Sequence, residues 1–337
     1  METKAFINRA SKVVLSLVLG GAILYWMYRG FDFAKVKGVL LHEMDWTWML
    51  LSLPFGALAQ LCRGWRWKLS LHPLGEHPRT ATAINSIFLS YAVSLVIPRI
   101  GEFARCGVLT RYDGVSFAKA LGTVVTERAI DSLVVLFITG LTLLLQAKVF
   151  TTFFTATGTS VESVVGKFSW EGWLVTILSL LAIGALAWLL VRKLSIYNKV
   201  KTTISGIGQG VMSLRRVRKP WLFVALTLGI WASYFIHYYL TFFCFEATAG
   251  LGLACAMVTF VVGSVAVIVP TPNGAGPWHF AVKTMLVLYG VAEADALYFV
   301  LIVHSVQTLL VVLLGVYAWL ALSFTRKTRT QPAFAQP

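Results

Sequence analysis

Apolar residues run through this chain in continuous stretches rather than in alternation, and segments such as Val175–Val191 and Leu297–Leu322 carry no charge. A helix crosses a bilayer with about 20 apolar residues, whereas a spanning barrel strand alternates over about ten. The pattern predicts an all-α polytopic membrane protein and excludes a spanning β-barrel. Full spans are predicted at about 13–28, 47–66, 120–145, 172–191, 220–244 and 297–322. Two further apolar stretches, 81–97 and 253–269, each run into a proline-glycine break that stops a helix: Ile97-Pro98-Arg99-Ile100-Gly101-Glu102 and Val269-Pro270-Thr271-Pro272-Asn273-Gly274-Ala275-Gly276-Pro277. At the N-terminus, Lys4, Arg9 and Lys12 precede the apolar run Val13–Met27, as in a secretory signal. Tyr25-Trp26-Met27-Tyr28-Arg29 then replaces a small-residue cleavage pattern, so the segment reads as a retained signal anchor.

Composition agrees. Of 337 residues 58% are hydrophobic and 13% charged, too little polar surface to cover a soluble globule. The basic excess, 29 Lys and Arg against 14 Asp and Glu, would suggest nucleic acid in a soluble protein. In a membrane protein it is the mark of insertion, because Lys and Arg accumulate in cytoplasmic loops, and no nucleic-acid partner is expected. The four cysteines stand singly, and neither a disulfide framework, a metal site nor a cofactor is indicated.

Charge also decides how the two interrupted stretches lie. If the first crossed the membrane, the block Arg192, Lys193, Lys199, Lys201, Arg215, Arg216, Arg218 and Lys219 would fall outside, against the positive-inside tendency. Both are therefore read as re-entrant hairpins. The chain then divides into a first repeat, 1–148, with three spans and a hairpin at about 81–119; an external linker, 149–170; a second repeat, 171–323, with three spans and a hairpin at about 253–290; and a cytoplasmic tail, 324–337. Three spans per half invert the second half, with both termini cytoplasmic. Six full spans plus two re-entrant broken helices in an inverted repeat is a transporter pattern, in which half-helix ends line a midplane substrate site.

The candidate chemistry gathers at the first break. Arg99, Glu102 and Arg105 follow at i, i+3 spacing, on one face if Gly101 opens a helix. Glu127, Arg128 and Asp131 fall within two turns at the start of a long apolar helix. Intramembrane charges face a cavity or pair with one another. Three arginines and three carboxylates can neutralise each other as a structural lock. Alternatively Arg99, Arg105 and Arg128 present planar forks to an anionic head group, with the carboxylates orienting them. At the second break Asn273-Gly274 predicts a turn, Pro277 the first residue of a half-helix, and His279 a group able to bind head groups or to titrate. For His279, and for His237, His304, Ser305 and Gln307, core packing is the competing reading.

Asn85, the run Pro98-Arg99-x-Gly101-Glu102-x-x-Arg105, the run Thr126-Glu127-Arg128-x-x-Asp131 and the run Pro270-x-Pro272-Asn273-Gly274-x-Gly276-Pro277 resemble the transmembrane, flippase-like domain of the lysylphosphatidylglycerol synthase family across roughly 10–323. His279 stands where the family often has Glu, and Asn273 where it often has Gly. Only Ser323–Pro337 follow Leu322, so lysyl transfer by a soluble domain is not expected. The resemblance implies a lipid-translocating domain in a bacterial or archaeal cytoplasmic membrane. The expected head-group site is Arg99, Glu102, Arg105, Glu127, Arg128, Asp131, Asn273, Gly274, Gly276 and His279, with helix breaks at Pro98, Gly101, Pro270, Pro272 and Pro277. The expected function is a non-enzymatic flippase or transporter of a phospholipid or polyprenyl-linked lipid with an anionic or zwitterionic head group. The alternatives are an intramembrane enzyme acting on lipid head groups, against which stands the lack of HExxH, GxSxG and P-loop motifs, or a non-transporting partner of a lipid-modifying enzyme.

Overall fold

The computed structural model describes residues 18–146, 217 and 219–326, and these fold as helices joined by short turns, with no strand. The order is α1 (Val18–Met27), α2 (Phe33–Gly38), α3 (Trp46–Leu71), α4 (Thr80–Val96), α5 (Gly101–Asp113), α6 (Phe117–Leu145), α7 (Pro220–Leu240), α8 (Glu246–Ala249), α9 (Gly252–Ala266), α10 (Pro277–Leu288) and α11 (Glu293–Ser323). Among the described residues three helical stretches are long and apolar enough to cross a membrane: Phe117–Leu145, Pro220–Cys244 and Glu293–Ser323. They coincide with the predicted spans 120–145, 220–244 and 297–322. The predicted span 47–66 forms the start of α3, which continues to Leu71, and 13–28 is seen from Val18 as α1. The predicted span 172–191, the linker 149–170, the basic block 192–216 and the tail beyond 326 lie outside the described residues.

Local chemistry sets the helix ends. Asp45 caps α3 by accepting from the Thr47 N–H at 2.8 Å, and Asp32 caps α2 through the N–H groups of Ala34 and Lys35. α4 stops before Pro98, with Ile97 extended (φ −127°, ψ 110°), the conformation proline imposes on its predecessor. α5 then folds back along α4. Arg79, at the start of α4, donates from its backbone N–H and its Nε to Asp113 at the end of α5 (2.9 and 2.6 Å), which fixes the pair as antiparallel. Gly101 makes the return possible, because a Cβ there would run into the Ser90 carbonyl oxygen. α9 and α10 form the second hairpin, in which Gly263 lies against Trp278 and Val282. At 17, 15 and 12 residues, α4, α9 and α10 are about 26, 22 and 18 Å long, short of a ~30 Å hydrocarbon core.

Two buried apolar clusters support these hairpins. One, with Trp67, Ile87, Cys106 and Leu109, lies where α3, α4, α5 and α6 meet. The other, with Met49, Phe242, Val282 and Phe299, joins α3, α7, α10 and α11. Outward surfaces remain apolar: Leu133, Leu136, Phe137 and Leu144 of α6 and Leu313, Val316 and Trp319 of α11 are exposed, as lipid-facing residues are.

Candidate functional site

A stripe on α3 brings two arginines into the interior. Ser52, Gly56, Ala59, Arg63, Arg66 and Ser70 recur at spacings of four and three and are all buried, a small and polar seam against which α7 packs. Its arginines meet the acids of α6. Arg63 Nη1 donates to Asp131 at 2.6 Å and Arg66 Nη2 to its other oxygen at 2.8 Å, while Arg66 Nε stands 3.5 Å from Glu127 without hydrogen-bond geometry. From α5, Arg105 Nη1 donates to Glu127 at 2.9 Å, and its guanidinium lies 4.5 Å over the Trp67 ring. Trp67 is itself held by a 2.9 Å bond to Thr123.

Arg128 occupies a different position. It is half-exposed and reaches Glu102 at 3.2 Å and Asp131 at 3.7 Å. Arg99 adopts a left-handed backbone (φ 65°), sparsely populated for a residue with a Cβ, and its Nη2 donates 2.8 Å across to the Ile268 carbonyl at the end of α9. The first break is thereby tied to the second.

Around these groups lies a cavity of about 570 Å³. Arg63, Arg99, Arg105, Arg128 and Glu102 line it from one side, and Ile268, Pro270, Thr271, Asn273 and Gly274 from the other. Among the described residues, four guanidinium groups therefore face one carboxylate at its wall. Counting Arg66, Glu127 and Asp131 behind the wall, five arginines stand against three carboxylates among the described residues, which do not neutralise the cluster completely. Arg105 Nη2, Arg63 Nε and the Thr271 hydroxyl are buried with no hydrogen-bond partner among the described residues, as donors reserved for a ligand or water would be.

The sequence-derived site divides on this geometry. Arg99, Glu102, Arg105, Arg128, Asn273 and Gly274 come together on the cavity with the breaks Pro98 and Pro270. Glu127 and Asp131 lie behind it as counter-ions. Gly276 and His279 do not line it. His279 sits in a second, aromatic pocket with His304, the two rings 4.4 Å apart, and Gly276 (φ 92°) packs on the backbone of α1 at Gly20. A Cβ at Gly276 would come within 2.9 Å of the Gly20 oxygen. His237 is a packing residue, its Nδ1 2.8 Å from the Ser52 carbonyl oxygen.

The sequence pattern alone does not single out Arg63 and Arg66. They lie in the last turn of the predicted span 47–66, and in that place a basic residue reads as an interface anchor; the seam of small residues at four-three spacing is the available sign that this face turns inward.

The turn of the second break is held by uncharged partners on α11, beside the Arg99 contact to Ile268. Asn273 is left-handed (φ 51°) and Gly274 follows at φ 73°. Asn273 Nδ2 donates to the Thr308 hydroxyl at 2.7 Å, and the His304 Nε2–H donates to the Asn273 carbonyl at 3.1 Å, so α11 clasps the turn from both ends of one residue. Pro277 is the first residue of α10.

Residues 13–315 match the model of the family described as the lysylphosphatidylglycerol synthase TM region. No curated protein and no solved structure matches the chain.

Proposed function

The chain belongs to the lysylphosphatidylglycerol synthase transmembrane-region family, and from that premise we propose that it is a lipid flippase or transporter that acts without chemical transformation of its substrate. Membership supports a lipid-related role in a membrane. The observation that carries the finer reading is the cavity where both helix breaks meet, with four arginines and one carboxylate at its wall. Arginine forks suit phosphate oxygens bidentately, and the adjoining apolar helix faces leave acyl or polyprenyl chains in the bilayer. The ligand class is a lipid with an anionic or zwitterionic head group, in a bacterial or archaeal cytoplasmic membrane. A partner enzyme that modifies such a lipid fits the same reading.

The proposed topology is six full spans and two re-entrant hairpins in an inverted repeat, with both termini cytoplasmic. The likeness of the breaks supports it: in each, proline precedes a left-handed residue bearing a side chain, Arg99 or Asn273, and a short helix returns along the one before it. Broken helices of this kind put polar backbone at membrane depth only where it lines a cavity.

A headgroup-quench assay in proteoliposomes tests the proposal. Translocation of labelled phospholipid with unchanged lipid chemistry is the expected result. A modified lipid product would replace it with the enzyme reading, and neither translocation nor product would leave the partner-subunit reading.

A further inference from the structure

A second pocket, about 760 Å³, lies beyond the Asn273–Gly276 turn. The wall between the two is one turn of backbone: Gly274 lines the arginine cavity, and Ala275, the next residue, lines the second pocket. α1 closes the turn from behind, since a Cβ at Gly20 would lie 3.1 Å from the Ala275 oxygen.

The chemistry of this pocket differs from that of the first. Tyr28, Phe31 and Phe33 meet edge-on or tilted at 4.9–6.0 Å and give it an aromatic wall. Each of its polar side chains can donate a hydrogen bond, and one of them is a cation. Arg29 stands exposed at the rim, and Ser305 offers a hydroxyl. The Tyr28 hydroxyl is buried with no partner among the described residues. The Gly276 N–H points at His279 Nδ1 from 3.4 Å, which makes Nδ1 the acceptor and leaves Nε2 to carry the ring proton. Among the described residues no carboxylate lines the pocket, and Asp32, the nearest acid in sequence, is engaged in capping α2.

We infer that this aromatic pocket is a second lipid site, one that takes the phosphate of a phospholipid on Arg29, Tyr28 and His279 and its apolar glycerol-chain region on the aromatic wall. A lining with the Arg29 cation and, among the described residues, no carboxylate fits an anion and disfavours an amine, which would find no counter-charge. The aromatic wall explains why the occupant is a lipid and not free phosphate. The two sites adjoin across the Asn273–Gly276 turn, so a head group leaving the arginines has a weaker, largely uncharged site one peptide away. From the preceding proposal the inference takes only that the ligand is a membrane lipid.

Native mass spectrometry of the purified full chain tests it, with added dioleoylphosphatidic acid and, as the phosphate-free comparison, dioleoylglycerol. Wild type is expected to hold two phosphatidic acid molecules. Ser305→Trp, which fills the pocket from an exposed position, removes one, and Arg99→Gln with Arg128→Gln removes the other. Arg29→Gln with His279→Gln weakens the Ser305-sensitive step by about tenfold, the worth of roughly one charge-assisted hydrogen bond; this pair also serves if the tryptophan variant does not fold. Two molecules retained in Ser305→Trp, or equal binding of dioleoylglycerol at that step, would overturn the inference. Loss of one molecule in Ser305→Trp but none in the Arg99 and Arg128 variant would sustain it while rejecting the arginine cavity as a head-group site. A protein that binds neither lipid rejects both.

Discussion

At the first break Pro98 leads into Arg99 at φ 65° and the half-helix that Gly101 opens; at the second, Pro272 leads into Asn273 at φ 51° and the half-helix that Pro277 opens. The backbone device is nearly the same, and the means of holding it is not. Around the first, guanidinium groups from α3, α5 and α6 converge on two buried carboxylates of α6. Around the second, an amide, a hydroxyl and an imidazole exchange neutral hydrogen bonds with α11. Ion pairs at membrane depth cannot be half-broken without stranding a charge, whereas a neutral bond in the same setting is exchanged at small cost. The expectation is that the first break is the fixed wall of the cavity and that the second, beyond the Arg99 contact to Ile268, is the yielding one.

The strongest way to break this contrast is to strip the first break of its counter-ion. Asp131→Asn leaves Arg63 and Arg66 buried without their closest partner. Its expected cost is about 3–5 kcal/mol, as for other broken buried pairs, with loss of folded protein read by thermal unfolding and membrane accumulation. Arg128→Gln should not rescue it, because Arg128 is Asp131's most distant partner at 3.7 Å. Rescue by that second change would mean that Arg128, not the α3 pair, holds the acid.

Gly101→Ala asks whether the fixed wall depends on close backbone approach. The new Cβ meets the Ser90 carbonyl, so α5 must move, with an expected destabilisation of about 1–3 kcal/mol as for other overpacked sites. Gly107→Ala, on the same helix and with open space around it, is the comparison and should instead stabilise by up to about 1 kcal/mol. Equal melting temperatures for the two variants would contradict the tight return at Gly101.

Arg128→Gln alone separates stability from function. Its half-exposed side chain faces the cavity, and folding should change little. Phospholipid translocation should fall by about tenfold or more, the scale of a single charge-assisted hydrogen bond to the head group. Unchanged translocation would remove Arg128 from the head-group site.

The smallest expected effect lies at the second break. Thr308→Val removes the hydroxyl that receives the Asn273 amide, at about 0.6 kcal/mol, typical of a side-chain hydrogen bond within a membrane. Hydrogen exchange of the Gly274 and Ala275 amides should quicken by a few-fold while those of α5 stay slow. Equal loss of protection at both breaks would erase the distinction between a fixed and a yielding wall.

The sequence by itself determined the all-helical membrane class, the three long spans now seen among the described residues, and the places where α4 and α9 stop, because continuous apolar length and proline act locally and need no partner. It also marked Glu127 and Asp131, since an acid inside an apolar helix must be answered by something. Which groups answer was decided only by tertiary structure. Arg63 and Arg66 lie more than sixty residues from these acids, and local spacing carries no information about a pairing that forms only when α3 packs beside α6. The same holds for His279: its place beside the second break suggested the arginine site, but the direction in which α10 leaves the turn carries it to the other side of the Asn273–Gly276 wall, against Tyr28 and His304. Chain proximity fixes a distance along the backbone, and only packing fixes the side of a wall on which a side chain falls.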